Sequence, residues 1–370
     1  MGIAQPIDVA KARPIGRSAQ AVSSKLLGLE LLRFASAIAV LMFHYRHFAQ
    51  LAGMPPVARS AVPFYSLLWP LYEYGQFGVQ LFWGISGYIF FWKYGAAIHS
   101  TAISAARFAW LRFSRLYPLH LATLVTVVGL QAIHRHLTGT DFVYPSQEPG
   151  QFVRHLFLAS DWGAQEPFSF NGPIWSVSAE VAVYAAFFLA LRRFAPSLAL
   201  CLAAVIAGLG LQWSGFDSVP VACATYFFAG GIAAVLPPAD FKARLGAGGV
   251  LATLLVGTAG AGTLGDRGIL PTILLVALPL MMIVLTGQWP IADRWHKPIE
   301  AAGNLTYSTY LLHFPLQLAL AIGVAGSGFL PDLTSGTFLL CYLGITLAAG
   351  AISYRRFEVP LQDWLRRAVP

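Results

Sequence analysis

Charge is scarce in this chain. Of its 370 residues 11% are Asp, Glu, Lys or Arg, while 57% are hydrophobic. A soluble domain carries about 25% charged residues, which is what a water-facing surface needs. That shortage excludes an ordinary soluble globule and leaves a polytopic membrane protein, where apolar surface can face lipid. Cysteine is scarce as well. Cys201, Cys223 and Cys341 lie far apart in apolar runs, with no CxxC or Cys/His cluster. This excludes a disulfide framework and a zinc site, and predicts three small core residues. The patterns GxGxxG, GxxxxGK[ST], HExxH and GxSxG are missing, so no dinucleotide, P-loop, metalloprotease or nucleophile-elbow chemistry is indicated. Residues 1–25 contain no apolar run. They hold Lys11, Arg13, Arg17 and Lys25, so they read as a basic, poorly ordered tail and not as a cleavable signal. No internal repeat is visible, which argues against an inverted-repeat transporter.

What the chain has is long apolar runs. A span needs about 20 mostly apolar residues. Ten runs qualify, at 27–48, 77–94, 116–134, 173–191, 197–213, 218–236, 247–263, 269–287, 301–323 and 336–354. The expected fold is all-α, with about ten transmembrane helices forming one domain over 26–370. The stretch FYSLLWPLY at 64–72 is too short to span. Its Pro70 suggests a broken interfacial or re-entrant piece.

Lys and Arg set the orientation. With the N-terminus inside, 18 of the 24 fall on the cytoplasmic side and 5 on the opposite side, with Arg33 inside a span. Both termini are therefore expected in the cytoplasm. The net charge of +8 then follows from topology, and nucleic-acid binding is not needed to explain it.

Four polar constellations interrupt the apolar runs. In LLRFASAIAVLMFHYRH (31–47), Arg33 and His44 are eleven residues apart. At 100° per residue they share one helix face, about 16 Å apart along the axis. Glu30 lies near that face. A plainer reading makes HYRH an interfacial helix end and lets Arg33 reach back to the cytoplasm. In NGPIWSVSAEVAVYAAFF (171–188), Ser176, Glu180 and Tyr184 recur at i, i+4 and i+8. A carboxylate inside a span needs a partner, and an Arg or His from another span is the expected one.

In NLTYSTYLLHFPLQ (304–317), Thr306, Tyr310, His313 and Gln317 fall on one face. A histidine satisfied by packing competes there with a catalytic one. Asn304-Leu305-Thr306 matches a glycosylation sequon on the cytoplasmic side, where it is not used. In RFAWLRFSRLYPLHL (107–121), Arg107, Arg112 and Arg115 sit at the cytoplasmic mouth. Guanidinium forks suit phosphate, although the positive-inside bias alone also accounts for them. WGISGY (83–88) reads as close helix packing. The loop 135–172 carries Asp141, Glu148, Asp161 and Glu166 with Trp162, Phe168 and Phe170, which suits a polar or sugar-like ligand or merely a solvated loop.

Together these segments resemble the membrane acyltransferase-3 family. RFASAIAVLMFH is similar to its first-span Arg and His, FGVQLFWGISGYIFFW to its second span, and LRFSRLYPLHL to its arginine-rich mouth. IWSVSAEVAVY, LTYSTYLLHFPL and the FEVP of 357–360 are similar to its later motifs. The resemblance runs from about residue 26 to 367 and implies a multi-pass protein of a bacterial inner membrane. It implies transfer of an acyl group, usually acetyl, from acyl-CoA to a hydroxyl of a carbohydrate or similar acceptor, as in polysaccharide O-acetylation. Acyl-CoA is then a co-substrate, with no bound cofactor and no metal.

On that reading His44 is the general base, and Arg33 binds the donor or polarises its thioester. Arg112 and Arg115 grip the CoA phosphates. Glu180, Ser176, Tyr184, Tyr310 and His313 line the site. The chain departs from the family in carrying Gln80 where an Asp is usual, so the partner that orients His44 is open: Gln80, Glu73, Glu180 or none. No appended hydrolase-like domain is expected. The rival class is a proton- or anion-coupled transporter using the same Arg, His and Glu. A third is a non-catalytic envelope partner. A transferase consumes a thioester, a transporter moves solute without doing so, and a partner does neither.

Overall fold

The computed structural model describes residues 19–163, 168–216, 218–236, 269–285 and 291–367. The expected span at 247–263, residues 1–18 of the expected tail, and Glu166 lie outside these. Among the described residues the chain is helical throughout. Five helical stretches are long and apolar enough to cross a membrane: Leu27–Gln50, Ala105–Thr138, Ile174–Arg193, Thr306–Ser327 and Gly336–Arg367.

In chain order the α-helices are α1 (Ala19–Phe43), α2 (Tyr65–Tyr74), α3 (Gly78–His99), α4 (Ala105–Thr138) and α5 (Pro149–Leu156). They continue as α6 (Ile174–Arg193), α7 (Leu198–Trp213), α8 (Val219–Val235) and α9 (Ile269–Leu285). The last four are α10 (His296–Asn304), α11 (Thr306–Ser327), α12 (Gly336–Ser353) and α13 (Val359–Arg367).

Several boundaries differ from the expected ones for local reasons. α1 stops at Phe43, and His44–Gln50 continue as a 3₁₀ helix. α4 begins where Ser104 caps it, accepting from the Arg107 N–H at 3.2 Å. It then runs 34 residues straight through Pro118, until Gly139 takes the left-handed conformation that suits a C-terminal glycine. Arg107, Arg112 and Arg115, expected at the mouth of the span, all lie on this helix. Pro70 does not break its segment either, because α2 passes through it.

Glycines set the tightest contact. A Cβ on Gly87 would strike the Phe227 carbonyl, and one on Gly230 would strike that of Gly84. α3 and α8 therefore meet backbone to backbone, as WGISGY suggested. Cys201 and Cys223 are buried, but Cys341 is exposed on the outer side of α12, so it is not the core residue expected.

The apolar interior falls into two clusters. One centres on Phe90, Phe91, Phe187 and Phe227 between α3, α6 and α8. The other centres on Tyr45, Phe48, Phe142, Phe314 and Tyr342, around the 3₁₀ helix, the 139–173 loop, α11 and α12.

α1 and α11 run side by side in the same direction. Arg33 reaches Thr306 at 3.3 Å, and eleven residues on, His44 stacks on His313. The polar faces of two parallel helices thus meet each other, and this seam positions the site.

Candidate active site

Two cavities open along the seam. The first, about 470 Å³, is lined by Arg33, Lys93, Arg112, Arg115 and Arg366, with Glu30 and Glu180 as the carboxylates. Ser86, Ser176, Tyr184 and Tyr310 are among the uncharged polar groups of its wall. The second, about 680 Å³, is lined by His44, Arg46, His47, Gln50, Gln76, Tyr144, Phe168 and Trp175. Val79 and Tyr310 line both, so the two cavities approach one another at that pair.

In the first cavity the charges are largely tied. Arg33 grips both oxygens of Glu30, at 2.8 and 3.1 Å, a spacing that α1 supplies at i, i+3. Arg115 is ion-paired to Glu358, a carboxylate 2% exposed in the π-helical turn between α12 and α13. Ser308 donates to the same carboxylate at 2.6 Å. Arg115 thus has a structural partner that the phosphate-clamp expectation did not include. Arg112 donates to the Tyr94 hydroxyl at 2.7 Å and lies over the Phe90 and Tyr94 rings.

Glu180 meets the hydroxyls of Ser86 and Tyr184, and feels the charges of Arg112 and Arg33 at longer range. Its expected arginine partner is therefore a neighbour, not a direct ion pair. Ser176, Glu180 and Tyr184 all face this cavity, as their spacing on α6 required. Ser176 also lies 2.8 Å from the Tyr310 hydroxyl, which donates to the Pro173 carbonyl at 2.9 Å.

In the second cavity the central group is untied. The His44 ring stacks on His313, with centroids 4.8 Å apart and planes at 21°. It lies equally close to His47 at 41°. Its Nδ1 is buried and makes no close hydrogen bond among the described residues, although the Val40 carbonyl one turn back acts on the ring, and the ring lines the cavity. Gln317 fixes the backbone here. Its amide donates to the His44 carbonyl at 3.0 Å, while its oxygen accepts from His47 Nδ1 at 2.9 Å. His313 donates its own Nδ1 proton to the Tyr310 carbonyl at 2.6 Å and lines neither cavity.

None of the expected carboxylates orients His44. Glu73 is engaged by Tyr65 and Arg59, and Glu180 lines the other cavity. Gln80 lines neither cavity. It shares a stripe with Gly84 and Gly87 at i, i+4 and i+7, the face α3 turns toward its helix neighbours. Its side-chain oxygen is buried without a partner. Stacking by His313 and the Gln317 bridge hold the imidazole instead.

A model of the acyltransferase-3 family, described as an acyltransferase domain, matches residues 26–355. The chain belongs to the acyltransferase-3 family. No curated protein and no solved structure gives a match.

In this acyltransferase, the matched region contains the helices that line both cavities, except α13, which supplies Gln362 and Arg366. Lys93, Arg366, Arg46 and His47 were not singled out as site residues from sequence. The first two read as positive-inside charge, the second two as an interfacial helix end. Helical spacing carried a signal for Lys93: with Phe82, Ser86 and Ile89 it follows i, i+4, i+7 and i+11 on α3, and all four line the first cavity. Among the described residues no group of three His, Cys, Asp or Glu could hold a metal ion.

Proposed function

We propose that this acyltransferase moves an acyl group, acetyl by preference, from cytoplasmic acyl-CoA to a hydroxyl of a carbohydrate-like acceptor held on the other side of a bacterial inner membrane. The observation that supports this reading best is the pair of cavities meeting at Val79 and Tyr310, basic on one side and built around an open imidazole on the other.

The basic cavity suits a polyphosphate donor. Among the described residues Arg112 and Lys93 have no carboxylate bound to them, and Arg366 lines the same cavity. Fork-shaped guanidinium groups hold phosphate in two-point contacts. Arg33 and Arg115 already hold carboxylates, so their part is to keep the cavity positive and its wall rigid. The pantetheine arm is long and thin enough to lead the thioester toward Tyr310 while the nucleotide stays behind.

At the junction His44 Nε2 takes the proton from the acceptor hydroxyl. The oxygen attacks the thioester carbonyl, the C–O bond forms and the C–S bond breaks. CoA leaves as thiolate and is protonated to the thiol. Histidine suits this step because its ordinary pKa lies near neutrality. Tyr310 lines both cavities and is the candidate stabiliser of charge on the thioester oxygen, a role in which its hydroxyl turns from the Pro173 carbonyl to that oxygen.

The test is mass spectrometry of surface glycans from cells with and without the protein, paired with assay of CoA thiol release in membranes. The expected result is one acyl mass lost with the protein, and thiol release that depends on acceptor. Identical glycans, together with acetyl-CoA left intact by membranes given those glycans, would overturn the reading.

A further inference from the structure

The second cavity has an electrostatic feature that the proposed reaction does not use. Arg46 lines it and is exposed to it, while every other charged side chain of the described residues is absent from its wall. The guanidinium lies 3.6 Å above the Phe43 ring, and among the described residues no carboxylate pairs with it. Glu73 acts on it through charge without forming an ion pair, and is itself bound by Tyr65 and Arg59. Arg46 is thus held in place by an aromatic face, with its hydrogen-bond donors unclaimed.

The remaining wall is aromatic and neutral. Phe168 and Trp175 lie side by side with centroids 5.9 Å apart, planes tilted by 34°. Tyr144 is held neutral, its pKa driven well above the ordinary phenol range by burial first and by Tyr310 next. Gln50 and Gln76 add uncharged donors and acceptors. A cation next to flat rings and amides matches one class of ligand: a ring-shaped, hydroxyl-bearing molecule that carries an anionic group. A neutral glycan would leave the guanidinium without a counter-charge, which wastes the strongest contact the cavity offers.

We propose that the cavity beside His44 selects an anionic acceptor, a sugar unit bearing a carboxylate or phosphate that Arg46 engages while a neighbouring hydroxyl faces His44. The proposal rests on the transferase reading for its use of His44. The binding preference itself stands on Arg46 and the cavity wall.

The experiment separates the two. Binding of methyl β-glucuronide and methyl β-glucoside to the purified full-length protein is measured calorimetrically, for wild type, Arg46→Gln and Arg46→Lys. The two probes share a ring and differ in one carboxylate against one hydroxymethyl. The wild type is expected to bind the acid about tenfold more tightly. Arg46→Gln should bring the ratio of the two affinities close to one, and Arg46→Lys should keep part of the preference. Phosphate in place of carboxylate, tested with glucose 6-phosphate against glucose, decides which anion is favoured.

Equal affinity for acid and neutral probe in the wild type, absent binding included, overturns the proposal. So does a preference that survives Arg46→Gln. A clear, Arg46-dependent preference for the acid would leave this proposal standing even where the glycan and thiol-release tests sink the transferase reading. Transfer to both probes at one rate, with no difference in binding, would do the reverse.

Discussion

The two cavities use polar groups in opposite ways. In the basic cavity most charges are bound to something: Arg33 to Glu30, Arg115 to Glu358, Arg112 to Tyr94. In the other, no described carboxylate pairs with Arg46, and the His44 ring is held mainly by stacking on His313 and His47. The contrast separates two jobs. A wall that must stay open and positive inside an apolar bundle needs its charges cross-braced, because an unpaired buried charge is costly. A group that must bind and release a proton or a ligand needs free lone pairs and donors.

The contrast is broken most directly at His44. His44→Ala should lower transfer by about 10²–10⁴-fold, the usual cost of losing a general base. Its KM for acetyl-CoA should stay near the wild-type value, because donor contacts lie in the other cavity. Retention of near-wild-type turnover by the purified variant would remove the base assignment.

Glu358 tests the cross-bracing. Glu358→Gln strips Arg115 of its counter-charge and weakens the bond from Ser308. Breaking a buried pair typically costs 3–5 kcal/mol, and the partly accessible Arg115 points to the lower end, about 3 kcal/mol. Thermal unfolding in detergent should show a marked fall. The double variant Arg115→Met with Glu358→Leu should recover much of the stability, since it leaves no buried charge. If the double variant also keeps the wild-type KM for acetyl-CoA, Arg115 is a brace alone. A raised KM would give it both roles.

Arg112 is the basic residue whose only fixed bond is to a hydroxyl. Arg112→Lys keeps the charge and loses the planar fork. A phosphate clamp predicts a rise of about tenfold in the KM for acetyl-CoA at fixed ionic strength, about 1.4 kcal/mol. A charge placed only by topology predicts no change.

Part of this contrast was legible in the sequence. Arg33, His44, Glu180 and His313 stand out because ionisable residues are rare in apolar runs, and the 100° rule puts Arg33 with His44 and Ser176 with Glu180 and Tyr184. The helical class followed from composition in the same way. Pairings across the bundle were not legible. Glu358 sits in a short motif near the C-terminus, and nothing local says that it is buried against Arg115. Gln80 drew attention by its position in a motif, but the facing of α3 is set by Gly84 and Gly87, which turn that side toward other helices. The apolar run 116–134 marks only part of α4, because hydropathy fades where the arginines begin while the backbone stays helical back to Ala105.

The smallest expected effect lies where the two cavities meet. The Tyr310 hydroxyl donates to the Pro173 carbonyl and lies 2.8 Å from Ser176. Tyr310→Phe keeps the ring and its packing against Phe82 and removes only the oxygen. Losing a hydrogen bond of this kind costs about 0.5–1.5 kcal/mol in stability, so the protein should fold and the melting temperature should drop slightly. The kinetic readout separates two roles. If the hydroxyl only braces α6 against α11, Ser176→Ala should reproduce the loss and kcat should barely move. If it stabilises charge on the thioester oxygen, kcat should fall by about tenfold or more with both KM values unchanged, because that interaction exists only in the transition state. Ser176→Ala should then leave kcat within about twofold, since the hydroxyl it supports remains in place. Equal kcat losses in the two variants would assign Tyr310 to the wall and leave the oxyanion without a partner at the junction.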